Sequence, residues 1–459
     1  MIDPRVASGL RDLLPATMIV RERALASFRE TLAGYGFVPI ETPHIERMEV
    51  LTGKGAGSDE VLRQIYEVTN KGGERGELGL RFDLTVPLAR FVARNIQELG
   101  RPFKRYAVGS VFRGERPAKG RFREFLQCDF DVVGTESLVS DAEVVQVVHD
   151  TLTKIGVPRF TITLNHRKIL DGFFRSLGLA DQAATLLRSL DKLSKIGRDK
   201  VFEEMQARSA STTPEAGPSM SADQANQILD FVAGGQGGLE VLDRVGALLA
   251  DQPSSLRGIA ELKTVVGLAQ AGGVPLDRLR VDVGLARGLD YYTGLVLETT
   301  VDGWEKFGSV ASGGRYDNLT RLFTDQSLPG VGASIGLDRL LALLDEAGWM
   351  RGPATSVPVL FPSSPGVDPQ VAVSLAARLR SVGIGAEVYP DAIQLGKQLQ
   401  YGSTRGHRFA VIVGPDELTG QVFNLRDLAT RAERKGLPLV EFEAILLEAI
   451  LQAPGEAAR

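Results

Sequence analysis

Residues 103–134 read FKRYAVGSVFRGERPAKGRFREFLQCDFDVVG, and this stretch decides the fold. Segments 103–113 and 121–134 have the character of strands, and GERPAKG between them is a turn-forming run, so an antiparallel hairpin with a long loop is predicted. Alternate side chains of a strand share a face. One face of the second strand then carries Arg121, Arg123, Phe125, Gln127, Asp129 and Asp131. The other carries Phe122, Glu124, Leu126, Cys128, Phe130 and Val132, which is apolar apart from Glu124 and suited to a core.

The segregated polar face suggests its chemistry. Guanidinium forks match phosphate oxygens and a flat ring stacks on a base, so arginines beside an aromatic, an amide and carboxylates suit a phosphorylated nucleotide next to a small cation. A ladder of edge-strand ion pairs is the competing reading. Between Arg101 and Arg123 there are eight basic residues and one acid, Glu115. The net charge of −4 comes from 53 Lys and Arg against 57 Asp and Glu, so affinity for a polyanion has to come from such local clusters.

Two further stretches carry polar side chains in useful spacing. In LRFDLTVPLARFVA (80–93), a period of two puts Arg81, Asp83 and Thr85 on one face, where a short acid and a hydroxyl can hold an ammonium group. The same letters also fit a helix capped near Thr85 with Pro87 in its first turn, and both readings can hold together. LARGLDYYTG (285–294) is a glycine-flanked turn with Arg287, Asp290, Tyr291 and Tyr292. GVGASIG (330–336) imitates a nucleophile elbow and a dinucleotide loop, yet the sole histidine after Ser334 is His407, and no strand–helix–strand unit follows. No P-loop pattern occurs, so an ATP site has to rely on arginines. His44, His149, His166 and His407, with the single Cys128, have no zinc-ligand spacing, and no zinc is expected.

At about 150 residues per domain, 459 residues suggest about three domains. A composition of 43% hydrophobic and 24% charged residues is that of a water-soluble globular chain. One cysteine excludes an intrachain disulfide and fits a reducing compartment, and MIDPRVASGLRDLLP lacks the apolar core of a secretory signal, so a cytoplasmic location is expected. No run approaches the roughly 20 apolar residues of a membrane span. Met18, Leu25, Phe28 and Leu32 mark a first helix stopped at Gly34, and FVPIETP (37–43) reads as the next strand. A pair of strands is expected over roughly 279–301. Residues 165–278 read as an inserted helical domain interrupted by SASTTPEAGPSMSA (209–222), and GWMRGPATSVP (348–358) separates the body from a final unit. In that unit VPVLFP, GAEVYP and RFAVIVG alternate with helical runs, as in a small α/β domain.

Taken together, these motifs resemble the class II aminoacyl-tRNA synthetases, and within them the histidyl-tRNA synthetase family. FRGERPAKGRFREFLQCDFDVVG resembles the class's second motif and GVGASIGLDRLLALL its third. RGLDYYTG and SGGRYDNL resemble signatures of the histidine-specific group, and LRFDLTVPLARFVA resembles the version with aspartate where many bacterial members have glutamate. The resemblance implies an α/β fold whose antiparallel sheet is flanked by helices. It divides the chain into a first core part (1–164), a helical insertion (165–278), a second core part (279–347) and an anticodon-binding-like domain (358–459). It further implies that Arg113 and Arg339 bind the α- and γ-phosphates of ATP, with Arg121 and Arg123 near the triphosphate, Glu115 at the adenine amino group and Phe125 stacked on the ring. Asp83, Thr85 and Gln127 would hold the α-amino group of histidine, while Asp131 and Tyr292 read the imidazole, with Tyr291 at the same site. Arg287, alongside Arg113, would press on the reacting phosphate. L-histidine, ATP with Mg2+ and tRNA(His) are the expected partners, and the first motif, near IETPHIE, implies a homodimer. The rival reading is a non-catalytic, histidine-binding regulatory paralogue of a biosynthetic enzyme.

Overall fold

The computed structural model describes residues 1–53, 63–69, 72, 76–118, 120–209, 220–286, 292–349 and 355–452. The chain forms two compact units, one of Met1–Arg11 with Leu25–Leu343, the other of Asp12–Ala24 with Leu344–Arg459. In chain order, the strands of the first unit are β1 (Val38–Pro39), β2 (Ile45–Arg47), β3 (Glu67–Val68), β4 (Leu78–Leu80), β5 (Phe103–Phe112), β6 (Glu124–Val133), β7 (Phe160–His166), β8 (Gln236–Gly237), β9 (Leu279–Asp282), β10 (Leu295–Val301), β11 (Ala311–Tyr316) and β12 (Gly330–Gly336).

Among the described residues, nine of these strands make one sheet in the order β1-β5-β6-β12-β11-β10-β7-β9-β8, and β2-β4-β3 make a small second sheet. The hairpin β5–β6 is antiparallel, with Phe103 opposite Val133 and Phe112 opposite Glu124. Strand β6 begins at Glu124, so Arg121 and Arg123 lie in the loop before it, where Arg121 bridges back to Ala118. The reason is local. Gly120 takes φ +71°, a left-handed turn that reverses the chain at Ala118–Arg121 and delays the strand.

The face expected to be polar and open is also covered, since Gln127, Asp129 and Asp131 are buried like Cys128 and Phe130. Phe130 packs on the helix Pro15–Gly34 through Phe28, at a ring separation of 6.4 Å. The strands over 279–301 are not partners of each other. β9 runs parallel to β7, β10 runs antiparallel to β7, and β7 lies between them. Two apolar runs adjacent in sequence cannot specify a neighbour that arrives from elsewhere in the chain.

Helices cover the sheet. Thr85–Leu99 buries Val86, Leu88, Val92 and Ile96, and Leu88, Val92 and Ile96 pack with Phe103, Val133 and Leu328. Leu138–Ile155 is capped by Ser137, whose side chain accepts from Val139 N, and ends on Gly156 in the left-handed region. Between β7 and β9 the described chain is mostly helical, from Arg167–Ser176 to Pro253–Ala271, and β8 from this stretch joins the sheet edge. The expected Ser/Thr/Pro break lies outside the described residues over 210–219, and Ser221 caps the helix that resumes with Ala222–Gly234.

In the second unit, β13 (Val359–Phe361), β14 (Ala386–Val388), β15 (Phe409–Ile412), β16 (Val422–Asp427) and β17 (Glu433–Pro438) form a sheet in the order β14-β13-β15-β16-β17. β13 is parallel to β14 and β15, and the last two strands add antiparallel. Val359, Phe361, Leu379, Phe423 and Phe442 lie at the centre of its core.

Candidate active site

A cavity of about 1220 Å³ opens within the first unit, lined by β6, β11 and β12, by the loops before Thr85 and after Phe112, and by residues 190–195 of the helical stretch. Of the residues predicted from sequence, Asp83, Thr85, Arg113, Glu115, Arg121, Phe125, Gln127, Asp131, Tyr292 and Arg339 all line it. Arg123 does not. Its Nε donates to Glu115 O at 3.3 Å and its Nη1 to Ser8 O at 3.0 Å, which fixes the amino-terminal segment to the loop. Arg287 and Tyr291 lie outside the described residues.

The Arg81–Asp83–Thr85 spacing does not form a strand face. β4 ends at Leu80, and Asp83 instead caps the next helix, with its Oδ1 accepting from Thr85 N at 3.1 Å and from Val86 N at 2.9 Å. Arg81 is buried away from the cavity lining, donating to Ser110 O and Thr42 O. Pro87 in the first turn leaves no intrahelical hydrogen bond unmade, so the capping reading accounts for this segment.

At the cationic end, the Arg113 guanidinium sits 4.3 Å from the Phe82 ring centroid and 5.0 Å from that of Phe125, with its Nε donating to Phe82 O. Stacking between two rings holds its plane fixed. Arg339 Nη1 donates to Ser309 O at 2.7 Å. Arg121 lies 3.8 Å from Glu115 and is half exposed.

At the acidic end, Arg105 is completely buried, and its Nη2 lies 2.6 Å from Asp131 Oδ2. Tyr316 donates its hydroxyl to Asp131 Oδ1 at 2.6 Å. Gln127 Nε2 donates to Ser334 Oγ at 3.1 Å. Burial raises the carboxyls of Asp83, Asp129 and Asp131, against the pull of Arg105 on all three. Arg105, Asp129, Tyr316 and Ser334 were not singled out as site residues from sequence. The hairpin held the signal for Arg105, because pairing across it faces Arg105 with the acids of β6.

GVGASIG is strand β12, with neither an elbow nor a phosphate loop. Its glycines serve packing. A Cβ on Gly332 would lie 2.1 Å from Asp131 Oδ1, so the absence of a side chain there makes room for the carboxylate. Among the described residues, no group of three or more His, Cys, Asp or Glu could hold a metal ion, and no helix is long and apolar enough to cross a membrane.

An antiparallel sheet with arginines at one end of its cavity and a buried acid cluster at the other defines the catalytic core of a class II aminoacyl-tRNA synthetase. Residues 9–340 match the histidyl-tRNA synthetase family and residues 359–449 an anticodon-binding domain. The histidine–tRNA ligase of Rhodopirellula baltica is 46% identical over 99% of this chain and 100% of its own length. That of Wolinella succinogenes is 42% identical, covering 97% of each chain. The crystal structure of histidyl-tRNA synthetase from a Nostoc species superposes with a TM-score of 0.85 at 35% identity, over 98% of this chain and 100% of that one. This chain belongs to the histidyl-tRNA synthetase family.

Proposed function

We propose that this chain is a histidine–tRNA ligase that activates L-histidine with ATP and transfers the histidyl group to the 3′ end of tRNA(His). The observation that carries the reading is the division of one cavity into a guanidinium end (Arg113, Arg121, Arg339) and a buried acidic end (Asp83, Asp129, Asp131). The reaction needs both. A histidine carboxylate oxygen attacks the α-phosphorus, the bond to pyrophosphate breaks, and fixed positive charge offsets the repulsion between the two anions. A terminal ribose hydroxyl of the tRNA then attacks the carbonyl carbon, and AMP departs.

In this reading Arg113 and Arg339 meet the α- and γ-phosphates, Glu115 meets the adenine amino group, and Phe125 stacks on the base. Arg121, and Arg123 less directly, add positive charge near the triphosphate, and Arg287 acts at the reacting phosphate. Asp83, Thr85 and Gln127 serve the α-amino group, and Tyr291 and Tyr292 flank the imidazole. Asp131, held by Tyr316 and Arg105, faces the ring, and a substrate without ring nitrogens leaves it buried without a partner. Mg2+ arrives with ATP and supplies charge to the phosphates. Glu115 and Glu298 line the cavity, a sparse carboxylate set that suits an ion coordinated mainly by phosphate and water. The 359–449 domain reads the anticodon, and two copies assemble in the cytoplasm.

The regulatory-paralogue reading lacks support, because identity to histidine–tRNA ligases runs the length of the chain and the anticodon-binding domain is present. The deciding experiment is ATP–pyrophosphate exchange with each of the twenty amino acids. Exchange with histidine alone is expected, and Arg287→Ala is expected to lower it by roughly a hundredfold. No exchange with histidine overturns the reading.

A further inference from the structure

Strand β6 carries two buried acceptor atoms, two residues apart on one face, that have no hydrogen-bond donor among the described residues: Gln127 Oε1 and Asp129 Oδ1. Both residues line the cavity, and they are 9% and 3% exposed. The neighbouring acids differ. Asp131 has Tyr316 on one oxygen and Arg105 on the other, and Asp83 Oδ1 is held by two helix N–H groups. The Gln127 amide is oriented by its donation to Ser334, which leaves its oxygen available.

Space is kept open around this pair. Asp129 stands opposite Ala107 on β5 and Ser334 on β12, and cross-strand neighbours share a face, so small side chains flank it on both sides. Two adjacent acceptors, one of them anionic, call for a group with several N–H donors and a positive charge. An ammonium group has three donors and no acceptor. Water can satisfy the geometry but leaves the buried charge unpaired.

We propose that Asp129 is a further amino-acid-binding residue, its Oδ1 receiving the substrate's α-ammonium group together with Gln127 Oε1. The proposal rests on the reading of this cavity as a histidine site. It gives the ammonium a buried counter-charge, which Asp83 supplies less well because the helix N-terminus already draws on its Oδ1. Burial, with Asp131 and Asp83 nearby, pushes the Asp129 carboxyl up to about 7 despite Arg105 and Ser334. An acid held near neutrality in this way ionises fully when a cation comes into contact with it.

The test uses the full chain, with histidinol and 4-(3-hydroxypropyl)imidazole as probes, the second differing only in lacking the amine. Binding is measured by calorimetry for the wild type and Asp129→Asn. The variant is expected to bind histidinol about tenfold or more weakly, the loss of a charge-assisted hydrogen bond, and the amine-free probe as the wild type does. Equal weakening of both probes, or of neither, overturns the proposal. Asp129→Ser makes the same comparison if the Asn variant fails to fold. Histidine-dependent exchange by the wild type is measured in parallel. If it is present while the probes do not separate, only this inference falls; if it is absent, the functional reading falls with it.

Discussion

Gly332 on β12 stands opposite Asp131 on β6, and a methyl group on its Cα would lie 2.1 Å from Asp131 Oδ1 and 2.5 Å from Phe130 O. No real side chain tolerates either distance, and the Phe130 carbonyl belongs to the sheet and cannot swing away. Gly332→Ala is therefore expected to displace Asp131 from Tyr316 and to lower stability by about 1–3 kcal/mol. Urea denaturation gives the stability loss. The Michaelis constant for histidine in pyrophosphate exchange should rise more than that for ATP. Wild-type values for both would show that the strand accommodates the methyl group.

Arg105 is the buried cation that the three acids share, and removing it tests their electrostatics. Breaking a buried ion pair by deleting one partner costs about 3–5 kcal/mol. The sign with pH follows from linkage. Asp83, Asp129 and Asp131 are already raised by burial, and without the guanidinium they rise further. The folded state then holds protons that the unfolded chain has released above about pH 4. Stability therefore falls as pH rises, and the deficit of Arg105→Leu should be smallest near pH 5 and largest near pH 8. A deficit that does not change with pH would show that the acids do not feel Arg105.

The hairpin was legible in the sequence because its alternation and its turn chemistry agree, and ten of the thirteen residues expected at the site line one cavity. The predicted loop was two short, however. A turn over 114–120 sets Arg105 opposite Asp129, whereas the longer loop sets it opposite Asp131. A slip of two residues keeps every side chain on its face, so the polar and apolar assignments survived while the ion-pair partner changed. Arg81–Asp83–Thr85 misled for the opposite reason. Period two and a capped helix start share the same letters over three residues, and only the length of the apolar run beyond Thr85 separates them. The β16–β17 hairpin escaped notice because β17, ERKGLP, is largely exposed and polar, with no apolar period to read.

Arg123 and Arg339 were given neighbouring roles by sequence, and the structure separates them. Arg339 lines the cavity, while Arg123 holds Ser8 O and packs so closely on Gly9 that a Cβ there would lie 2.7 Å from its Cδ. Arg339→Ala should raise the Michaelis constant for ATP about tenfold or more, the loss of a hydrogen bond to a charged group. Arg123→Ala should leave that constant within about threefold, because only an exposed backbone contact is lost, and should instead speed proteolysis of the first eleven residues. ATP kinetics and limited proteolysis on the two variants check the division. A larger ATP defect in Arg123→Ala than in Arg339→Ala would return Arg123 to the triphosphate.

The raised carboxyl of Asp129 makes ammonium binding depend on pH in a direction that can be worked out. A cationic ligand prefers the ionised acid, so binding competes with the proton, is complete above about pH 7 and weakens as pH falls through that value. The groups that face Asp129 are Asp131 on its own strand, Arg105 on β5, Ser334 on β12 and Asp83 at the head of the helix Thr85–Leu99. Of these, Arg105 and Ser334 oppose the shift and the two acids enlarge it. The imidazole of histidinol titrates near pH 6.5 and would distort a single profile, so the informative quantity is the ratio of wild-type to Asp129→Asn affinity. That ratio is expected to fall about fivefold or more between pH 8 and pH 6, approaching the limit of tenfold per pH unit only well below the carboxyl's own value. Calorimetric titration at half-unit intervals measures it. A ratio constant across that range would place the titration elsewhere, and would mean that Asp129 is already ionised at pH 6 through its contacts with Arg105 and Ser334.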